Sequence, residues 1–414
     1  MRDTDLYAQI LGVRAPWKVT DVSLRLADGE VEVLVEHDGG SALSCPECGS
    51  ASSGYDSRRR RWRHLPTCQY RTILVADVPR VRCPQHGVKT IRVPWSEPGS
   101  GFTALFEALI IDWLKEANIS AVARQLGLTW DQVSGVMERA VARGMARRNL
   151  RMPRHLGVDE TSFQRRREYV TVVADLKEGV VHHVADGHKK GALGEYFAGL
   201  SKADLEEIQS VAMDMWKPYI ADTVAAVPDA GAKIAFDKFH VAMHLSKAVD
   251  NVRRAESRAL LAQGDPSLKR TRYLWLVHPD RLQGESVAQI EGLIRRALKT
   301  SRAWMLKELA MEMWEAGSEA DARAIFKAFY SWAIRSRLEP MKKAARTLKR
   351  HLEGIVNAIV LGVTNARLEG INTVIQGLKR AARGFRNRKR FRNAIYFHLG
   401  GLDLYPETMT HYHS

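Results

Sequence analysis

Four cysteines in 414 residues are too few to staple a chain this long, so a disulfide framework is excluded. Long apolar runs are missing as well. The longest, ALFEALIIDWL, is interrupted by Glu107 and Asp112 and is too short to span a bilayer. The opening residues, MRDTDLYAQI, are mixed and charged and do not resemble a signal peptide. Neither an internal repeat nor a low-complexity tract is present. Acid is in short supply: 47 Asp and Glu face 63 Lys and Arg, for a net charge of +16. A soluble, intracellular protein that meets a polyanion is expected, with nucleic acid the first choice of partner and a membrane surface the second. Hydrophobic residues, at 45%, are frequent enough for globular domains rather than disorder.

The organisation changes along the chain. Residues 1–44 alternate weakly (VSLRL, VEVLVEH) and suggest strands. All four cysteines and an arginine cluster fall within 45–95, WSEPGSG at 95–101 has the composition of a linker, and 102–146 reads as helices. A basic connector, 147–155, precedes a change of period. REYVTVVADL and GVVHHVADG predict two strands joined by a turn around Lys177–Gly179. A helix near 189–200, a strand at IQSVAMD, a helix over 218–227 and a strand at AKIAFD follow. From 240 to 350 the pattern is helical, and Trp275, Trp304, Trp314 and Trp332 are expected mostly in its core. A helix with Glu369 and a basic tail complete the chain. This order is that of a ribonuclease-H-like fold with an insertion. The predicted fold class is multidomain α+β. It comprises a zinc-binding β-rich domain (1–95), a helix-turn-helix domain (102–146), a ribonuclease-H-like α/β catalytic domain (155–239), an all-α insertion (240–350) and the last catalytic helix with its tail (351–400).

Three acids stand out. Asp159 in HLGVDE and Asp214 in IQSVAMDMW each end a short apolar run, and Glu369 lies on a helix. Two carboxylates at strand ends and one on a helix offer the hard oxygen ligands that two Mg²⁺ or Mn²⁺ ions need for phosphoryl transfer. Taken singly, an acid after a strand more often caps a turn. Glu369 gains support from its helix, where Asn365, Glu369, Asn372 and Gln376 share one face beside an apolar face of Leu368, Ile371, Ile375 and Leu378. Asn365 and Asn372 suit a half-buried shell that orients a ligand. Asp237, in AFDKFH, is a fourth acid or a support for the others. His240 and His244 share a helix face, for which a role in DNA contact or in the core is favoured over a zinc pair.

Cys45-Pro-Glu-Cys48-Gly and Cys83-Pro-Gln-His86-Gly are paired knuckles of soft ligands, a strong signal for one structural Zn²⁺. Cys68 is the odd thiol, expected to pack. Between the knuckles, Arg58, Arg59, Arg60, Arg61 and Arg63 surround Trp62 on what reads as a zinc-stapled loop, better suited to phosphate contact than to a merely solvated face. ISAVARQLGLTWDQVSGVMERA fits a helix-turn-helix in which Gly127 makes the turn and Thr129 caps the second helix. Trp130, Asp131, Gln132 and Ser134 are then its exposed reading residues. The tail over 377–393, with Lys379, Arg380, Arg383 and Arg386, contains no acid and suits phosphate contacts.

CPECG, RRRRWRHL, PRVRCPQHGV, the helix-turn-helix, GVDE, AMDMW, FDKFH and NARLEGIN occur in that order. As a set they resemble the bacterial insertion-sequence transposases of the ISL-three family over nearly the whole chain. The resemblance implies a DDE transposase with a triad of Asp159, Asp214 and Glu369 and zinc ligands Cys45, Cys48, Cys83 and His86. It implies double-stranded DNA, the terminal inverted repeats of the element and its target, as partner. Action in the bacterial cytoplasm at the nucleoid follows. Holding two transposon ends calls for a homodimer or larger assembly. A non-enzymatic zinc and helix-turn-helix regulator is the rival reading, and it leaves the three acids without a task. A structure-selective nuclease without end recognition is a third.

Overall fold

The computed structural model describes residues 2–149, 151–164, 168–187 and 191–407, which form two compact units. The first holds Met1–Asn149 and Lys389–Ser414, the second Leu150–Arg388. Among the described residues no helix is long and apolar enough to cross a membrane.

The first unit opens with a helix, α1 (Asp3–Ile10), where strand had been expected. Its Tyr7 is buried against the sheet, so tertiary packing overrides the weak local alternation. The strands β1 (Trp17–Arg25), β2 (Glu30–His37), β3 (Ser53–Arg63), β4 (Arg71–Cys83) and β5 (Gly87–Thr90) make one sheet in the order β1-β2-β4-β3, with β5 also paired to β4. The arginine run is therefore part of a strand, not a loop. Val31, Val33, Val35, Leu74, Ala76 and Val78 supply the core, with Trp17, Trp62 and Trp95 meeting edge to face.

Trp95 explains why 95–101 does not act as a linker. Its indole is buried in the sheet's core, and Ser96 and Ser100 each donate to the Phe102 carbonyl, at 2.8 and 3.2 Å. The segment is fastened at both ends and feeds directly into α2 (Ala104–Glu116), α3 (Ile119–Leu126) and α4 (Trp130–Arg147). Each of these helices starts on a side-chain cap: Thr103 accepts from Phe106 N, Asn118 from Ala121 N and Thr129 from Gln132 N. Gly127, at φ 60°, makes the left-handed turn between α3 and α4 that a side chain would resist.

His64 fixes the sheet to this helical part. It is buried, and its Nδ1 lies 2.9 Å from Thr103 Oγ1. Burial pushes its pKa from 6.5 down to about 4. Below pH 6.5 the unfolded chain takes up a proton that folded His64 refuses. The stabilisation is complete above pH 6.5 and is lost as pH falls toward 4, at about 1.4 kcal/mol per unit and ~3 kcal/mol in total. Urea midpoints at pH 7.5 and 4.5 should fall accordingly for the native protein and much less for His64→Gln. An equal fall in both would place the acid sensitivity elsewhere.

In the second unit β6 (His155–Gln164), β7 (Glu168–Asp175) and β8 (Val181–Asp186) form an antiparallel meander. The expected turn at Lys177–Gly179 is built on Asp175, whose Oδ1 accepts from Lys177 N and Glu178 N. After α5 (Ala192–Ala198) and α6 (Lys202–Glu207), β9 (Ser210–Met213) joins the other edge of β6 in parallel. After α7 (Lys217–Ala226) and α8 (Ala230–Lys233), β10 (Ile234–Phe236) joins β9 in parallel. The sheet order is β10-β9-β6-β7-β8. Residue 167 of the expected strand and residues 189 and 190 of the expected helix lie outside the described residues.

A 24-residue helix, α9 (Lys238–Leu261), leads from the sheet into the helical insert. There α10 (Arg272–Leu276), α11 (Glu285–Arg295), α12 (Lys299–Met311), α13 (Glu319–Arg335) and α14 (Glu339–Arg350) follow, then α15 (Leu352–Val360) and α16 (Ala366–Ala381). Sheet and insert share one apolar core that runs from Leu156 and Val211 through Val241 and Leu245 to Trp275, Phe329 and Leu348. Trp275 is fully buried, and Trp304, Trp314 and Trp332 pack against that core, as expected.

The last helix, α17 (Arg388–Leu399), packs from Lys389 onward with the first unit. Gly144 in α4 makes room for the segment after α17: a Cβ there would lie 2.7 Å from Leu402 Cβ. Arg143 donates to the Leu404 carbonyl at 3.2 Å and Arg147 to that of Tyr405 at 2.7 Å.

Candidate functional site

Strand register sets the acids of the second unit level with one another. In the parallel ladder Gly157 lies opposite Ala212, and Met213 lies opposite Phe236. Asp159 and Asp214 each come two residues further on, and Asp237 directly follows Phe236. Parallel strands keep such residues in step, so all three stand at the edge where β9 and β10 stop. Asp214 and Asp237 follow strand ends as expected. Asp159 does not: β6 continues past it to Gln164, because β7 still pairs with it there.

Glu369 arrives on α16, which runs along β6 in the same direction. Asn372 donates to Asp159 Oδ2 at 2.6 Å, Gln376 to Thr161 Oγ1 at 2.8 Å, and Lys379 to the Ser162 carbonyl and hydroxyl at 2.5 and 2.9 Å. Leu368, Ile371 and Ile375 are buried beneath this polar stripe. Gly157 is required beneath the helix, since a Cβ there would lie 2.6 Å from Leu176 and 3.2 Å from Leu368. Lys379, proposed from sequence as a phosphate contact, is thus engaged in holding helix to strand.

Asp159, Asp237, Asn365, Glu369 and Asn372, with Phe239 and His240, line one cleft of about 260 Å³. Asp214 joins through His240, whose Nδ1 is 3.0 Å from Asp214 Oδ1. Burial pushes the Asp159 carboxyl above its ordinary range, and the neighbouring Asp214 adds to this. Burial acts on Asp214 too, but His240 and the Met215 N–H outweigh it and hold Asp214 low. Burial alone would lower His240, yet its bond to Asp214 and the charges of Asp237 and Asp159 keep it raised. Sequence reasoning named His240 but favoured DNA contact or the core for it, and did not foresee its pairing with Asp214. The available signal was its place three residues after Asp237, in the first turn of a helix that Asp237 caps by accepting from Phe239 N at 3.1 Å.

The cleft fits hard cations by its chemistry. Its donors are carboxylates, and two buried amide oxygens, Asn365 Oδ1 and Asn372 Oδ1, accept no hydrogen bond among the described residues. The three acids do not form a closed chelate. Among the described residues only Cys45, Cys48, Cys83 and His86 bring three or more such donor atoms all within 4.8 Å of one another.

That second group lies in the first unit. Cys45 and Cys48 sit between β2 and β3, Cys83 closes β4, and His86 is in the turn to β5. Gly49 and Gly87 follow the knuckles at φ 71° and 68°, the conformation for which glycine was inferred. Cys45 Sγ–His86 Nδ1, Cys48 Sγ–Cys83 Sγ and Cys83 Sγ–His86 Nδ1 measure 3.8, 3.7 and 3.6 Å. A tetrahedron with metal–sulfur bonds of about 2.3 Å has edges of about 3.8 Å, so the group is shaped for structural zinc. The Ser50 hydroxyl and N–H lower the Cys48 thiol to about 6, favouring the thiolate that binds metal. Cys68, expected to pack, is exposed at φ 53° in the Thr67–Tyr70 turn.

The proposed DNA contacts are unevenly placed. Arg58 and Arg59 are exposed on β3, and Arg59 is 3.5 Å from Asp77. Arg61 is held by Glu30 and Glu32, Arg60 lies over Trp62 and Arg63 over Phe106. On α4, Gln132 closes a capping box with Thr129, and Trp130 is covered by the Arg390 guanidinium at 4.4 Å. Ser134 is half-buried. In the second unit Arg380, Arg383 and Arg386 are exposed.

Comparison with known proteins covers both sites. A family model described as "Transposase" matches residues 156–395. The "Helix-turn-helix domain of transposase family ISL3" matches 91–141, and the "zinc-finger of transposase IS204/IS1001/IS1096/IS1165" matches 42–86. The transposase for insertion sequence element IS1557 of Mycobacterium tuberculosis is 30% identical, over 94% of this chain and 93% of its own. The transposase for insertion sequence element IS1001 of Bordetella parapertussis is 26% identical, over 84% and 87%.

Proposed function

The chain belongs to the ISL3 family of DDE transposases, and from that premise we propose that it binds the terminal inverted repeats of its own insertion sequence and cuts and rejoins DNA there. The observation behind this reading is the placing of Glu369 and Asp159 on one cleft, with Asp214 level beside Asp159. Asp159, Asp214 and Glu369 would hold Mg²⁺ or Mn²⁺, two ions in all. When bound, such ions activate the oxygen of water or of a 3′-hydroxyl and stabilise the leaving oxygen. Asn372 fixes the Asp159 carboxylate, and His240 keeps Asp214 ionised and aimed. The sheet order, with an antiparallel meander beside two parallel strands, supports a ribonuclease-H-like catalytic core interrupted by the helices after α9.

Zinc on Cys45, Cys48, Cys83 and His86 would be structural, since protein fills all four positions. Arg58, Arg59 and Ser134 in the first unit and Arg380, Arg383 and Arg386 in the second remain free enough to meet phosphate or base edges. Joining two transposon ends in one reaction calls for at least two copies of the chain on DNA.

The test uses purified protein, Mg²⁺ and a labelled duplex that carries the element's end. The native chain should nick at the repeat boundary. Glu369→Gln should bind equally and not cut. Glu369 is exposed and its carboxylate holds no partner among the described residues, so the variant's stability should change by less than about 0.5 kcal/mol. Binding by both with cutting by neither, under Mn²⁺ as well, would favour a non-enzymatic regulator.

A further inference from the structure

The helical insert bears a charge pattern that cleavage chemistry leaves without a task. α14 is sharply two-sided. Met341, Ala344, Ala345 and Leu348 are buried, and the helix packs on α9 and α13. Lys343, Arg346 and Arg350, spaced i, i+3 and i+7, are exposed on the side opposite. Arg335 at the end of α13 and Arg337 just before α14 are exposed too. From 335 to 350 the only acid is Glu339, at the start of the helix.

Several arginines elsewhere in this unit are matched by acids: Arg323 by Glu353, Arg296 by Asp265, Arg253 by Asp250. Lys343 and Arg346 make no ion pair among the described residues, and Arg350 donates to the Thr347 hydroxyl at 3.2 Å. Like charges gathered on one helix face repel one another, so the face is stabilised by an anion from outside. Its position says which anion. His351 follows Arg350 and meets the Phe236 ring edge-on at 5.2 Å, and a Cβ on Gly354 would lie 2.4 Å from that ring. Phe236 ends β10, next to Asp237 on the cleft. The cationic face therefore extends over about 10 Å of helix and ends at the strand that delivers an acid to the site.

We propose that Lys343, Arg346 and Arg350 on the outer face of α14 bind the phosphodiester backbone of the DNA that leaves the cleft. The inference rests on the transposase reading and gives the insert a function in it. Flexible and forked cations suit backbone contact, which is independent of sequence.

The full chain, without Mg²⁺, is titrated against labelled duplex at several KCl concentrations. Each phosphate contact contributes about −0.9 to the slope of log affinity against log salt. Lys343→Gln/Arg346→Gln/Arg350→Gln should flatten the slope by about 3. Its loss of affinity between 50 and 200 mM KCl should then be about 40-fold smaller than that of the native chain. A control, Lys202→Gln/Lys269→Gln/Arg281→Gln, removes the same charge elsewhere on the unit and should leave the slope unchanged. A native slope in the α14 variant overturns the proposal, as does equal flattening in the control. If the native chain itself shows no salt-dependent binding, the transposase reading falls first and the proposal with it.

Discussion

Asp159→Asn is expected to abolish cleavage while leaving the fold intact. The carboxylate accepts from Glu160 N at 2.7 Å on one oxygen and from Asn372 Nδ2 at 2.6 Å on the other. An asparagine keeps only one acceptor. Asn372 can compensate by turning its amide over, because its own Oδ1 is buried without a hydrogen bond and can accept from the new Nδ2. The hydrogen bonds are re-made, so stability should change by no more than about 1 kcal/mol. The charge is not re-made. A cation ligand worth several kcal/mol to the transition state corresponds to a drop in rate of about 10³-fold or more. A single-turnover cleavage assay read beside a urea melt separates the two effects. Native-like cutting by Asp159→Asn would remove this residue from the proposed triad.

Removing zinc should have the other large effect, and it should be confined to the first unit. Cys83 closes β4 and pairs with Gly87 of β5, while Cys45 and Cys48 anchor the chain between β2 and β3. Structural zinc in isolated finger peptides is worth about 10–16 kcal/mol of apparent folding free energy. The sheet here also has its own core of Val33, Val35 and Leu74, so the loss should fall below that range. Cys83→Ala or a strong chelator should release one zinc per chain and expose 38–52 to protease. His64 and the α2–α4 helices should remain protected. Metal analysis that finds no zinc in the native chain, or protection unchanged after chelation, would rule out the metal's structural role.

Legibility from sequence followed the range of the interaction. Local chemistry was readable. Thr129 caps α4, Asn365, Asn372 and Gln376 share a face on α16, and each zinc knuckle ends in a glycine at positive φ. Pairings between distant segments were not. Arg61 reads as a free cation until β2 brings Glu30 and Glu32 beside it, and Lys379 until α16 sets it on Ser162. The segment 95–101 has loop composition, yet buried Trp95 outweighs its glycines and proline. The pairing of His240 with Asp214 became visible only when parallel register set β9 beside β10 and brought the two within 3.0 Å.

The return of α17 to the first unit makes the order of synthesis matter. A ribosome that has released residues 1–149 has made the zinc knuckles and α2–α4 but not the partners of Arg143, Gly144 and Arg147, which arrive with Leu402, Leu404 and Tyr405. The part made first is finished last, after the whole second unit has emerged. Domains usually fold as units in the order they are made; here the first must wait on a closure of very high sequence separation, which slows folding. A prematurely terminated chain therefore carries a helix-turn-helix whose Arg143 and Arg147 lack the Leu404 and Tyr405 carbonyls. Shortened products of such a gene are then poor candidates for stable competitors at the DNA ends, and only a chain translated through Tyr405 completes its own DNA-binding unit.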